Sequence, residues 1–108
     1  MEKFSLDAIV REQLQRAVSV AARRSATAVY GGHEHRLRQT VVALAAGATL
    51  AEHENPGEAT VMVLHGRVRL QSEQAAWEGR PGDLLVVPQA RHSLEALEDS
   101  AVLLTVSK

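Results

Sequence analysis

The chain has 108 residues, of which 45% are hydrophobic, and it contains no cysteine. This length supports one domain built around one core. The absence of cysteine excludes disulfides, thiolate metal ligands and cysteine nucleophiles. Residues 1–38 hold seven Lys and Arg against four Asp and Glu, whereas residues 39–108 hold five against nine. This asymmetry is too modest for a dedicated nucleic-acid binder, so no nucleic-acid partner is expected.

The apolar runs of the sequence are short. The longest, residues 84–88 and 101–106, fall far below the roughly 20 residues that a membrane-spanning helix needs, so no membrane partner is expected. The first residues show no apolar signal core and no processing site. We therefore expect a cytoplasmic location.

The first segment has the spacing of an amphipathic helix. Its apolar residues recur every three or four positions, which predicts a helix over residues 7–23, with Ser5 or Asp7 as a cap. Because a helix this short is marginal alone, its apolar stripe should lie on a sheet or on a second subunit. We divide the chain into an N-terminal helix, residues 1–25, and a β-barrel domain, residues 26–108.

From about Thr27 the pattern changes to short runs rich in Val, Leu and Thr, separated by Gly, Pro, Asn and Asp. Such spacing is typical of an all-β sandwich or barrel. The predicted strands are 26–30, 36–45, 49–54, 59–64, 67–71, 75–78, 83–87, 93–96 and 102–106.

Two stretches resemble the motifs of the cupin superfamily. Residues 47–66 resemble the first motif, which runs Gly, five residues, His, one residue, His, three or four residues, Glu, six residues, Gly. Residues 82–92 resemble the second motif, which runs Gly, five residues, Pro, then Gly and His. The resemblance covers residues 36–106 and implies a small jelly-roll barrel, a double-stranded β-helix.

The resemblance also implies a metal cage of three histidines and one glutamate, of which this chain keeps a part. His53 stands at the first ligand position, and His92 stands one residue closer to the preceding proline than the motif expects. The second histidine is replaced by Asn55, which offers a weak carbonyl oxygen, and the glutamate by Ala59. Glu58 lies one residue early, on the opposite face of an unbroken strand.

This reduced ligand set favours either no metal or a weakly bound divalent ion, with Fe, Mn, Ni, Zn and Cu as the candidates. The plainer alternative is that His53 and His92 are hydrogen-bonded polar residues in the barrel mouth.

A second His-x-His pair precedes the second predicted strand. If alternation is unbroken, His33 and His35 share a face with Gln39. Arg36 and Arg38 lie on the other face and mark it as solvated. That would turn the histidine face toward the barrel, and the hypothesis is that His33 or His35, with Gln39, compensates there for the missing ligands. The alternative is that the Gly31-Gly32 break leaves both histidines in an exposed loop.

Two functions follow from these features. The first is a binding module, in which the barrel admits a small polar or anionic molecule near His53, Asn55, His92 and Gln39. The second is a metal-dependent enzyme of the dioxygenase or isomerase type that uses His53 and His92. The sequence leaves open whether the protein is catalytic. A homodimer is expected, because edge strands and the helix stripe offer contacts between copies.

Overall fold

The computed structural model describes residues 1–53 and 57–107, and for residues 51–53 it describes the backbone only. Within these ranges one helix precedes nine strands. The elements are α1 (Leu6–Ser19), β1 (Arg24–Tyr30), β2 (Leu37–Leu44), β3 (Thr49–His53), β4 (Glu58–His65), β5 (Val68–Ser72), β6 (Ala76–Gly79), β7 (Leu84–Val86), β8 (His92–Ala96) and β9 (Ser100–Ser107).

The helix is shorter than the sequence predicts. Ser5 is the N-cap, and its hydroxyl accepts a hydrogen bond from the backbone N–H of Ala8 at 3.2 Å. The helix ends at Ser19 because Val20 is already extended and Arg23 has a left-handed φ of 61°. The predicted end at residue 23 is therefore wrong, since this turn redirects the chain into β1.

All nine predicted strands are present, with ends that differ by two residues or fewer in the described ranges. They form two antiparallel sheets, ordered β1-β2-β9-β4-β7 and β3-β8-β5-β6. The two sheets enclose a cluster of buried aliphatic side chains. The all-β jelly-roll expectation is thus confirmed.

The helix packs on the outer face of the five-stranded sheet. Val10 and Ala17 are buried there against Val41, Ala43 and Ala101. Gln13 is also buried on this side, and the Ser25 hydroxyl donates a hydrogen bond to its Oε1. The apolar stripe of the helix therefore packs on the chain's own sheet and not on a second subunit. Its buried residues offer no contact to another copy.

The four-stranded sheet turns a charged outer face to the surroundings. Arg69 lies on β5 between Glu78 on β6 and Glu95 on β8, with ion-pair distances of 3.4 and 3.8 Å. Exposed pairs of this kind contribute about 0–1 kcal/mol each, so apolar burial between the sheets dominates the stability of the barrel. In the described ranges, no helix is long and apolar enough to cross a bilayer.

Candidate functional site

A cavity of about 160 Å³ lies between the two sheets. Among the described residues, its lining is aliphatic apart from one imidazole, that of His92. The other lining residues come from six strands and from the end of β7: Val42, Leu50, Ala59, Val61, Leu70, Val87, Leu94, Val102, Leu104 and Val106.

The strand ends define one end of the barrel, which we call the mouth. On the five-stranded sheet, Arg38, Val106 and Ala59 are consecutive register partners across β2, β9 and β4. On the other sheet, a second row at the same end joins β3, β8 and β5 and consists of His53, His92 and Ser72. These two rows form the rim of the cavity.

His92 is the polar side chain that the structure places in this cavity. It is 5% exposed, and its Nδ1 lies 2.8 Å from the carbonyl oxygen of Ala90. Because a carbonyl oxygen can only accept, Nδ1 carries the hydrogen, and Nε2 is the basic nitrogen of the neutral ring. The shorter spacing from Pro88 therefore does not keep His92 out of the barrel.

His53 ends strand β3, and its backbone pairs in register with that of His92. The two histidines expected from the motifs are therefore brought to one row. The side chain of His53 and the whole of Asn55 lie outside the described residues.

The position expected to carry the glutamate of the cage is apolar in space as well as in sequence. Ala59 is buried and lines the cavity, while Glu58 is exposed on the opposite face of β4. The register here is regular, with Glu58 opposite Ser107 and Ala59 opposite Val106. No bulge turns Glu58 inward, so it does not replace the missing carboxylate.

The expectation that His33 and His35 face the barrel is wrong. Both are exposed in the loop between β1 and β2, where the ring of His35 stacks against Tyr30 at 4.9 Å. Gln39 shares the outer face of β2 with Val41, which packs under the helix. Its side-chain amide donates to the Thr105 hydroxyl at 3.3 Å. His33, His35 and Gln39 therefore do not join His92 in the cavity. The face of β2 that was expected to be inner is the outer face, which α1 covers.

Because the two faces of β2 are the reverse of those predicted, one further residue lies on the inner face. Arg38 shares its face with Val42, which lines the cavity, and therefore lies on the inner side of β2. The charge of this arginine predicts a solvated face, and this prediction is wrong. Arg38 lies four and six residues before Val42 and Leu44, so the three share one face of β2. This spacing places Arg38 inside only once that face is known to be the inner one.

The described residues do not offer a complete metal cage. Among the described side chains, those of residues 1–50 and 57–107, no three His, Cys, Asp or Glu come together. A resident divalent ion normally takes three or more protein ligands. The donors that the structure describes at the mouth do not by themselves fit such an ion.

Comparison with known proteins supports the fold. The family model described as "Cupin domain" matches residues 40–107. A conserved protein of unknown function from Streptococcus pyogenes is 27% identical, with a TM-score of 0.73 over 82% of this chain and 77% of that one. No protein of curated function matches the sequence.

Two further solved structures are similar in fold. A cupin 2 conserved barrel domain protein from Salinispora arenicola is 20% identical, with a TM-score of 0.69 over 97% of this chain and 87% of the other. A DMSP lyase from Ruegeria pomeroyi is also 20% identical, with a TM-score of 0.69 over 79% of this chain and 47% of that one. At these identities the likeness concerns the fold alone.

Proposed function

This chain belongs to the cupin domain family, and we propose that its barrel binds a small polar or anionic molecule whose apolar part fills the cavity. Binding without turnover is the function that the described geometry supports best. The single observation that carries the proposal is the cavity of about 160 Å³, lined by aliphatic side chains with His92 at its rim.

The size and lining of the cavity limit the ligand. An apolar cavity of roughly 150 Å³ accommodates a molecule of about the size of benzene. Burying such an apolar body releases about 25 cal/mol for each Å² removed from water. A polar head left inside without partners would cost several kcal/mol, so it belongs at the mouth.

The mouth supplies a partner for that head. The hydrogen bond from His92 Nδ1 to the carbonyl oxygen of Ala90 fixes the tautomer and the orientation of the ring beside the cavity. A preoriented group loses less freedom on binding than a mobile one. His92 therefore serves as a positioning contact for the ligand head.

The proposal is tested with benzamide as a neutral probe of suitable size, using calorimetry on the whole chain. Ala59→Leu should abolish binding, because the larger side chain occupies the cavity next to the mouth. Ala26→Leu is the matched control, since Ala26 is exposed on β1 of the same sheet and lies outside the cavity. Equal binding by wild type and Ala59→Leu, or no binding by wild type, would refute the proposal.

A second candidate function is divalent-metal-dependent catalysis that uses His53 and His92. The observation that favours it is their register pairing at the mouth. The hydrogen bond from His92 to a backbone carbonyl is also the arrangement that orients metal-ligating histidines. Because the described donors fall short of a cage, we derive no reaction step through a metal.

A further inference from the structure

We propose that Arg38 is the anion-recognition residue of the barrel and that the ligand is a small monocarboxylate with a compact apolar body. This inference rests on the proposed function, because it names the chemical class of the molecule that the cavity takes up. It is carried by the position of half-buried Arg38 and by its Nε atom, which is buried and has no hydrogen-bond partner among the described residues.

The position of Arg38 follows from the register of β2. The strand pairs with β9 without a bulge from Leu37 to Leu44, so Arg38 shares the inner face with Val42. Its register partner is Val106, and the partner of Val106 on β4 is Ala59. Both of these residues line the cavity. Arg38 is thus the next residue in the row that forms the rim.

The aliphatic stem of Arg38 is held beside the turn that leaves β1. A methyl group placed on Gly31 would come within 3.0 Å of Arg38 Cα and 3.1 Å of its Cγ. Gly31 therefore leaves the space that the stem occupies.

The Nε atom of Arg38 is buried and has no hydrogen-bond partner among the described residues. Nε of Arg67 is also buried without a hydrogen bond, but carboxylates of Glu78 and Glu98 lie 3.9 and 4.0 Å from it. For Arg38 the described residues include no such carboxylate. A buried donor without a partner is costly, and a ligand is one of the few explanations for its retention in a fold.

The chemistry of the guanidinium selects the ligand head. Its planar array of N–H donors matches the two oxygens of a carboxylate, which it binds through paired hydrogen bonds. The mouth brings this guanidinium together with the imidazole of His92, whereas the neighbouring Arg91 is exposed. One half-buried cation at the rim of a largely aliphatic cavity suits a monoanion better than a phosphate, whose larger charge needs several donors.

The experiment compares benzoate with benzamide, which have the same ring and differ in the charge of the head. Wild type should bind benzoate more tightly than benzamide. Arg38→Gln should weaken benzoate binding by about tenfold or more and leave benzamide binding within about twofold. Arg36→Gln removes the same charge from the exposed loop two residues away and should change neither affinity.

Thermal unfolding separates recognition from a purely structural role. Because Arg38 keeps a buried donor without a described partner, Arg38→Gln should leave the unfolding temperature unchanged or raise it. A lower unfolding temperature with equal losses for benzoate and benzamide would overturn the inference. Arg38→Lys should keep part of the benzoate preference, since it retains charge but not the paired donors.

The outcomes also distinguish a failure of this inference from a failure of the proposed binding function. If wild type binds benzamide but shows no preference for benzoate, Arg38 is not the recognition residue, and the binding barrel stands. If wild type binds phenyl phosphate more tightly than benzoate, the monocarboxylate class is wrong. If wild type binds none of these probes, the proposed function and this inference both fail.

Discussion

Ala59 and Val106 are register partners on β4 and β9, and both side chains line the cavity at its mouth. The cupin resemblance assigns the carboxylate of the metal cage to the position of Ala59. A methyl group at this place makes the rim apolar at the position where a cage needs a charged oxygen ligand. This pairing is why we favour a binding barrel over a metal centre.

We therefore expect wild type to retain little divalent metal after dialysis against metal-free buffer. The double variant Asn55→His, Ala59→Glu restores the two missing ligand types and should hold close to one Ni²⁺ or Zn²⁺ per chain. Elemental analysis measures both proteins. Adding His92→Ala to the double variant should release the metal again, which controls for binding elsewhere. Stoichiometric metal in wild type that is lost in His92→Ala would instead favour the enzyme.

The turn between β4 and β5 should be intolerant of a side chain. Gly66 has a φ of 78°, and an added Cβ would collide with the Asp99 carbonyl oxygen and the Ser100 hydroxyl. We expect Gly66→Ala to lower the free energy of unfolding by about 3 kcal/mol, measured by urea denaturation.

Gly47→Ala is the matched control for the Gly66 variant. Gly47 has a similar φ of 86°, but nothing lies within 4 Å of the place where its Cβ would be. Its substitution should cost only about 1 kcal/mol, from backbone strain alone. Equal losses for the two variants would show that the close approach of β9 to the Gly66 turn is unimportant.

The homodimer expected from the sequence stays a prediction, and the structure suggests where to test it. Met62 on β4 pairs with Leu84 on the edge strand β7, and both are exposed, as is Val86. If a second copy covers this face, Val86→Lys should reduce the mass measured by light scattering from that of a dimer to that of a monomer. Val20→Lys is the control at an exposed site beside the helix end. A monomeric wild type would contradict the expectation.

The strand pattern was predictable because each strand alternates or runs apolar between Gly, Pro, Asn and Asp turns. The faces of β2 were not. Val41 and Val42 are both buried, one under α1 and the other in the barrel, so the hydrophobic pattern does not say which face is inner. The charge of Arg38 predicts a solvated face, and this prediction is wrong because Arg38 lies on the inner face at the barrel mouth.

The candidate site was predictable in part for a related reason. His92 follows from motif spacing, and its place in the cavity needed the register of β8 to be established. The outward placement of Glu58 follows directly from alternation along β4, and the structure agrees. The loop positions of His33 and His35 depend on where β2 begins, and Leu37 is two residues beyond the second histidine.

The central claim is that a small molecule enters the barrel, and the most direct test is a benzamide titration followed through methyl NMR signals of wild type. The methyls of Val61 and Leu104 line the cavity, whereas those of Val41 are buried outside it beneath the helix. We expect saturable shifts at Val61 and Leu104 with Val41 unchanged. Shifts confined to Val41 and its neighbours, or none at saturating benzamide, would contradict the account.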